Sequence, residues 1–142
     1  MLMDRLTTFS LRADLTGTAA GATAYSDVLD LSVRRDLGTA DMDTSIVFTT
    51  LPAGPAGATI NAAIQTSDDN VTYVTLLETS QQPIAQFTPQ QPWLFRGELP
   101  TGVLRYLRIA YTPSAALTAG AVTAQSGADW PRNPNYPRNY VA

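Results

Sequence analysis

The sequence predicts an all-β protein, an antiparallel jelly-roll β-sandwich of about eight strands with extended N- and C-terminal arms. Helix signals are weak, because threonine and glycine are scattered through the 142 residues and ten prolines interrupt them. Several segments instead alternate apolar and polar residues, and turn residues recur about every eight to twelve positions, as in sandwiches of two packed sheets. A chain of this length can form one domain with its own core.

The first half of the chain predicts three strands. Residues 27–33 alternate, so Leu29 and Leu31 would share one face of a half-buried strand. Residues 44–51 are rich in β-branched side chains, and residues 58–66 alternate again. The Pro/Gly-rich stretch 52–57 between them predicts a hairpin loop.

The second half predicts a hairpin, an edge segment and three further strands. Residues 67–70 (Ser-Asp-Asp-Asn) are typical of a turn, and the strand pattern resumes at 71–77. Residues 81–92 contain three prolines, which cannot donate ladder hydrogen bonds, so they predict an edge segment around 84–87. The remaining strands are predicted at 93–99, 104–112 and 120–126.

The chain therefore divides into an N-terminal arm or irregular first strand at 1–26, the jelly-roll sandwich at 27–128 and a Pro/Asn/Tyr-rich tail at 129–142. The tail cannot form a helix, yet it carries side chains that are enriched at protein contacts. We interpret it as docking on a neighbouring subunit, with folding back onto its own domain as the alternative. Its candidate contact residues are Trp130, Arg132, Tyr136, Arg138 and Tyr140.

The composition argues against an enzyme, because the chain has no histidine, cysteine or lysine. Nucleophilic catalysis of the usual serine or cysteine kind lacks its base, and disulfides and thiolate metal sites are impossible. We expect no catalytic residue, no metal and no cofactor. A glycosidase needs only two carboxylates and stays open as an alternative, with candidates Asp68, Asp69, Glu78 and Glu98.

Charge and hydropathy limit the classes of partner that the chain can bind. Nine arginines stand against twelve acidic residues, for a net charge of −3, and no arginine-rich block exists to follow a phosphate backbone. We expect no nucleic-acid binding. The N-terminal residues lack the apolar core of a signal peptide and no apolar run spans a bilayer, so we expect a soluble, non-exported protein without a membrane partner.

The predicted strand at 104–112 has two contrasting faces. One face suits a core and carries Leu107, Ile109 and Tyr111. The other face is more apolar and aromatic than water requires and carries Leu104, Tyr106 and Arg108. We hypothesise that this second face lies against another subunit, and coverage by the chain's own loops or arms is the alternative.

Short pieces of the chain resemble one family in the same order. They span residues 27–126 and are Asp30-Leu31, Arg35-Asp36-Leu37-Gly38-Thr39, Gln65-Thr66-Ser67-Asp68-Asp69, Leu99-Pro100-Thr101-Gly102, Arg105-Tyr106-Leu107-Arg108 with Tyr111-Thr112, and Thr118-Ala119-Gly120. Together they resemble the capsid cement, or decoration, proteins of tailed double-stranded DNA bacteriophages, of the jelly-roll type first described in a short-tailed Bordetella phage.

The resemblance implies a jelly roll, homotrimers bound to the major capsid protein, and a place on the virion capsid after assembly in the host cytoplasm. The tail from Trp130 does not match the ending of that family. The main alternative is a β-sandwich binding module, either a carbohydrate-binding domain or a tail or fibre component. Its stacking platforms would be Trp93, Trp130, Tyr136 and Tyr140.

Overall fold

A computed structural model describes residues 8–32 and 43–127. In these two ranges it contains a short 3-10 turn (Ile84–Gln86) and ten strands: β1 (Thr8–Asp14), β2 (Ala24–Tyr25), β3 (Leu29–Asp30), β4 (Asp43–Ala53), β5 (Thr59–Ser67), β6 (Val74–Glu78), β7 (Gln82–Pro83), β8 (Trp93–Glu98), β9 (Tyr106–Pro113) and β10 (Ala119–Gly127). None of the helical structure in the described ranges is long and apolar enough to cross a bilayer.

The strands form two antiparallel sheets. The four-stranded sheet has the order β1-β10-β4-β8, and the six-stranded sheet has the order β2-β9-β5-β6, with β3 also on β9 and β7 also on β5. Because β2 and β3 follow one another along β9, and β6 and β7 along β5, the six strands occupy four positions. The two sheets of four positions each, with the chain crossing between them at most connections, are a jelly roll. The predicted all-β sandwich is confirmed.

The core lies between the sheets and follows the alternation of the sequence. On β9, the predicted core face is confirmed, because Leu107, Ile109 and Tyr111 are all about 1% exposed or less. The Tyr111 hydroxyl forms a 3.1 Å hydrogen bond with Ser10 Oγ of β1, which ties the two sheets together inside the core. Burial raises the pKa of the Tyr111 hydroxyl.

The predicted hairpin loop at 52–57 is wrong. It joins β4 to β5, but these two strands lie in different sheets, β4 between β10 and β8, and β5 between β9 and the β6–β7 pair. Gly57 has the left-handed φ of 80° that such a sharp turn favours. Alternation in the sequence indicates which face of a strand is buried, but it does not indicate which strand is the neighbour. The sequence therefore could not predict that the chain crosses from one sheet to the other between β4 and β5.

The strand predicted at 27–33 is much shorter in the structure. Only Leu29–Asp30 forms a strand, β3. The Asp30 Oδ1 accepts a 2.8 Å hydrogen bond from the Ser32 N–H, and Ser32 has a left-handed φ of 70°. This turn ends the strand, because an aspartate side chain offers the backbone an alternative to the ladder. Val33 lies outside the described residues.

The edge segment predicted around 84–87 is also different. The strand β7 ends at Pro83, and a 3-10 turn follows. Ile84 and Phe87 are buried, and the Phe87 ring centroid lies 4.7 Å from that of Phe48. Residues three apart lie on one side of a 3-10 turn, so both apolar side chains can close the end of the core.

Candidate protein-binding surface

The outer face of the six-stranded sheet carries two of the three predicted contact residues of β9. Tyr106 and Arg108 alternate with core residues and therefore lie on this face. Leu104 does not belong to β9, which begins two residues later, so the predicted grouping of all three on one strand is wrong. The Leu104 N–H instead donates a 2.9 Å hydrogen bond to Thr66 Oγ1. This side-chain bond, which the sequence did not indicate, holds the chain at the entry to β9.

Arg108 is stacked between two tyrosine rings. Its Cζ lies 3.9 Å from the ring centroid of Tyr25 and 3.7 Å from that of Tyr73. The two rings enclose the guanidinium from either side, because Tyr25 comes from the β2 side of β9 and Tyr73 from the β6 side. Its Nε donates a 2.8 Å hydrogen bond to Gln65 Oε1. Cation–π contacts contribute about 0.5–1 kcal/mol each at exposed sites. We call Tyr25, Arg108 and Tyr73 the arginine stack.

The two tyrosines reach Arg108 from segments on either flank of its strand, β9. Tyr25 lies on β2, which is paired with β9. Tyr73 immediately precedes β6, on the far side of β5. The Tyr73 hydroxyl donates a hydrogen bond to Asn70 Oδ1, and Asn70 has a left-handed φ of 58°. Burial raises the pKa of the Tyr73 hydroxyl.

The hairpin that positions Tyr73 is built around Asp69, and the predicted turn at 67–70 is confirmed. The Asp69 Oδ1 accepts 2.9 Å hydrogen bonds from the Thr72 N–H, the Val71 N–H and the Ser67 hydroxyl. These bonds, led by that of the Thr72 N–H, lower the pKa of Asp69. The strand resumes at Val74, three residues later than predicted, because residues 71–73 still belong to the turn.

An ion pair fixes the end of this face where β9 begins. Arg105 donates to both carboxylate oxygens of Asp30, with Nε to Oδ1 at 2.8 Å and Nη2 to Oδ2 at 2.9 Å. The Arg105 Cζ lies 4.9 Å from the ring centroid of Tyr106. The hydrogen bonds from Arg105, and next that from the Ser32 N–H, lower the pKa of Asp30 to about 2.

We expect Asp30→Asn to remove a pH-dependent contribution to stability. A carboxyl group whose pKa is lowered on folding stabilises the fold above its unfolded pKa, near 4, and that stabilisation is lost as the pH falls through about 2. Urea unfolding of both proteins between pH 7 and pH 2 should show the wild type more stable at neutral pH and the two converging below pH 4.

The Arg105→Gln variant is the matched control, because it removes the larger cause of the shift and leaves the Ser32 hydrogen bond in place. The difference between its free energy of unfolding and that of the wild type should also shrink as the pH falls from 7 to 2. A gap between wild type and Asp30→Asn that is the same at pH 2 as at pH 7 would contradict the expectation.

The segments that supply the tyrosines of the arginine stack also carry exposed apolar side chains. Six large hydrophobic residues in the described ranges are exposed, and four of them belong to the segments that supply Tyr25 and Tyr73. They are Tyr25 at 55%, Val28 at 40%, Val71 at 80% and Val74 at 58%. Tyrosine, arginine and aliphatic groups in one region are typical of a protein contact.

Sequence reasoning identified Arg108 and Tyr106 but missed Tyr25 and Tyr73. Both tyrosines stand beside short or interrupted strands, and no local pattern indicates that they meet Arg108. The predicted tail contacts Trp130, Arg132, Tyr136, Arg138 and Tyr140 lie outside the described residues. Of the stacking platforms proposed for sugars, Trp93 alone is described, and it is 37% exposed with the Cζ of Arg96 5.1 Å from its ring centroid.

The sequence model of the Bbp16 family matches residues 11–126. The chain belongs to the Bbp16 family. This is a family of phage proteins named from a Bordetella phage. A comparison with curated proteins gives no match.

Within the Bbp16-matched region, sequence pieces that lie far apart in the chain meet on one face. The pieces Asp30-Leu31, Gln65–Asp69 and Arg105–Arg108 are joined by hydrogen bonds of Asp30 with Arg105, of Thr66 Oγ1 with the Tyr106 carbonyl at 2.9 Å, and of Gln65 with Arg108. Three of the six resembling pieces thus meet at one corner of the six-stranded sheet, where β3, β5 and β9 meet.

Proposed function

We propose that this Bbp16-family chain is a capsid cement protein, which binds the major capsid protein lattice and stabilises the phage head. The observation that carries the proposal is the convergence of the resembling pieces. Three of the six form one corner of a jelly roll, beside a surface of exposed tyrosine, valine and arginine. Fold alone does not imply function, so the proposal rests on this surface and on the family rather than on the sandwich.

The surface fits attachment to a protein lattice. Arg108 and Tyr73 are held by hydrogen bonds within the chain, so these two side chains lose little freedom on binding. Many copies, each making a contact of modest strength, would together reinforce a shell. The resemblance also implies homotrimers, and a trimer would increase the number of contacts per bound particle.

The test begins with phage particles from a host in which this gene is deleted. We expect such particles to lose their DNA at a lower temperature than wild-type particles when they are heated. Adding back the purified protein should return this temperature to the wild-type value. Cryo-electron microscopy of the restored particles should show the protein on the capsid lattice in many symmetric copies, and light scattering of the free protein should give the mass of a trimer.

Two outcomes would overturn the proposal. Particles without the protein that are complete and equally heat-stable would remove the cementing role. Density on the tail or fibres and none on the capsid would instead support the alternative, a β-sandwich binding module of the tail apparatus.

A further inference from the structure

We infer that the Arg108 guanidinium is a binding fork for a carboxylate, an aspartate or glutamate side chain that the capsid lattice presents to the arginine stack. The inference rests on the proposed function and deepens it, because it names the chemistry of the partner and the atoms that receive it.

The arginine stack leaves the edge of the guanidinium that carries Nη1 and Nη2 available for hydrogen bonding. Tyr25 and Tyr73 cover its two faces, and Gln65 Oε1 accepts from its Nε. The terminal Nη1 and Nη2 groups make no hydrogen bond with residues 8–32 or 43–127. A planar guanidinium held in this way presents parallel N–H donors that match the two oxygens of a carboxylate.

The acidic groups on this face already have partners. Asp30 accepts both hydrogen bonds of Arg105, Asp69 accepts the turn N–H groups, and Glu78 Oε1 accepts from Asn61 Nδ2 at 2.6 Å. In residues 8–32 and 43–127, none of these three carboxylates bonds to Arg108, and we assign the complementary carboxylate to another molecule. Half-buried between two rings, Arg108 would hold that partner in a setting where water screens the charge only partly.

The surroundings select a protein carboxylate over a phosphate chain. A polyanion needs several cations in a row, whereas Arg105 on this face is already paired with Asp30 and the chain has a net charge of −3. The exposed Tyr25, Val28 and Val71, in the segments that supply the stack, add apolar surface, which suits a carboxylate surrounded by protein. A second copy docked face to face about a two-fold axis at the stack would place two guanidinium groups against each other. A contact with a neighbour in the proposed trimer would instead show as a change of oligomeric mass in the Arg108 variants. We assign the contact to the lattice, because the proposed function requires a surface that binds it.

The main experiment measures binding of purified protein to particles that lack it. We expect Arg108→Lys, which keeps the charge and loses the fork, and Arg108→Ala both to bind at least about tenfold more weakly than wild type. Arg96→Ala is the matched control, because Arg96 lies on the four-stranded sheet against Trp93.

A second experiment tests the fork without the capsid. In protein labelled with 15N-arginine, sodium acetate is titrated in while sodium chloride holds the ionic strength constant. The Arg108 side-chain resonances should shift with acetate and not with chloride alone, whereas Arg105, already paired with Asp30, should shift less. Thermal unfolding of each variant verifies that it is folded.

The outcomes are distinguishable. If the wild type does not bind the particles, the proposed function and the lattice partner both fail. If the wild type binds and the Arg108 variants bind equally well, or acetate causes no specific shift, the carboxylate fork fails while the cement function stands. If the variants change the oligomeric mass and leave particle binding intact, the partner is a second copy, and the assignment to the lattice is wrong.

Discussion

Phe9→Ala should lower the free energy of unfolding by about 3–5 kcal/mol, as expected for deleting a fully buried aromatic side chain. Phe9 is 0% exposed and belongs to the main core, although it lies in the segment interpreted from the sequence as an arm or irregular strand. Urea unfolding followed by far-ultraviolet circular dichroism measures the difference.

The matched control is Leu11→Ala, two residues along the same strand. Leu11 is 65% exposed, so its truncation should change stability by no more than about 0.5 kcal/mol. Equal and small effects of the two substitutions would show that residues 8–14 are a dispensable arm. A large effect of Phe9→Ala alone would make β1 an integral strand of the domain.

Thr66→Val should cost about 1–3 kcal/mol even though the two side chains are nearly the same size. The Thr66 hydroxyl, on a residue that is 2% exposed, accepts from the Leu104 N–H and donates to the Tyr106 carbonyl, both at 2.9 Å. Valine leaves the Leu104 N–H without its acceptor where β9 begins. The same urea unfolding measures the loss.

Thr50→Val on β4 is the control, because Thr50 is exposed and its substitution should change stability by less than about 0.5 kcal/mol. The Thr66 variant should also weaken protection of the Leu104 and Tyr106 amides in hydrogen exchange, which a purely steric effect in the core would not confine to those positions. Stability unchanged by Thr66→Val would mean that water replaces the hydroxyl at this corner.

The limits of sequence reasoning are clearest at β1. Simple alternation puts Phe9 and Leu11 on the same face, yet one is fully buried and the other is mostly exposed. The pairing of β1 with β10 is irregular in two places, each with one extra residue on β1. The first lies between Thr8 and Ser10. The second lies between Ser10 and Ala13 and includes Arg12, whose φ is 50°. Such bulges rotate side chains locally and depend on the partner strand, so they are not encoded in a period of two.

The candidate surface was predicted only in part, for a related reason. The sequence indicates Tyr106 and Arg108 because their strand has a second apolar face. It does not indicate Tyr25 and Tyr73, because they approach Arg108 only through the pairing of β2 with β9 and of β6 with β5. The sequence pattern continues to Leu104 and predicts it on the same strand, but β9 begins at Tyr106. The bond from the Leu104 N–H to Thr66 comes from a residue that is distant in the chain.

The amino-acid sequence by itself determined the all-β class, the core face of β9 and the turn around Asp69, because these depend on side chains within a few residues of each other. The tertiary structure alone decided that β4 and β5 lie in opposite sheets, that the residues after Pro83 close the end of the core, and that two tyrosines enclose Arg108. The physical reason is that periodicity reports which side of a strand is buried, whereas the choice of neighbour is made by packing between segments that are far apart in the chain.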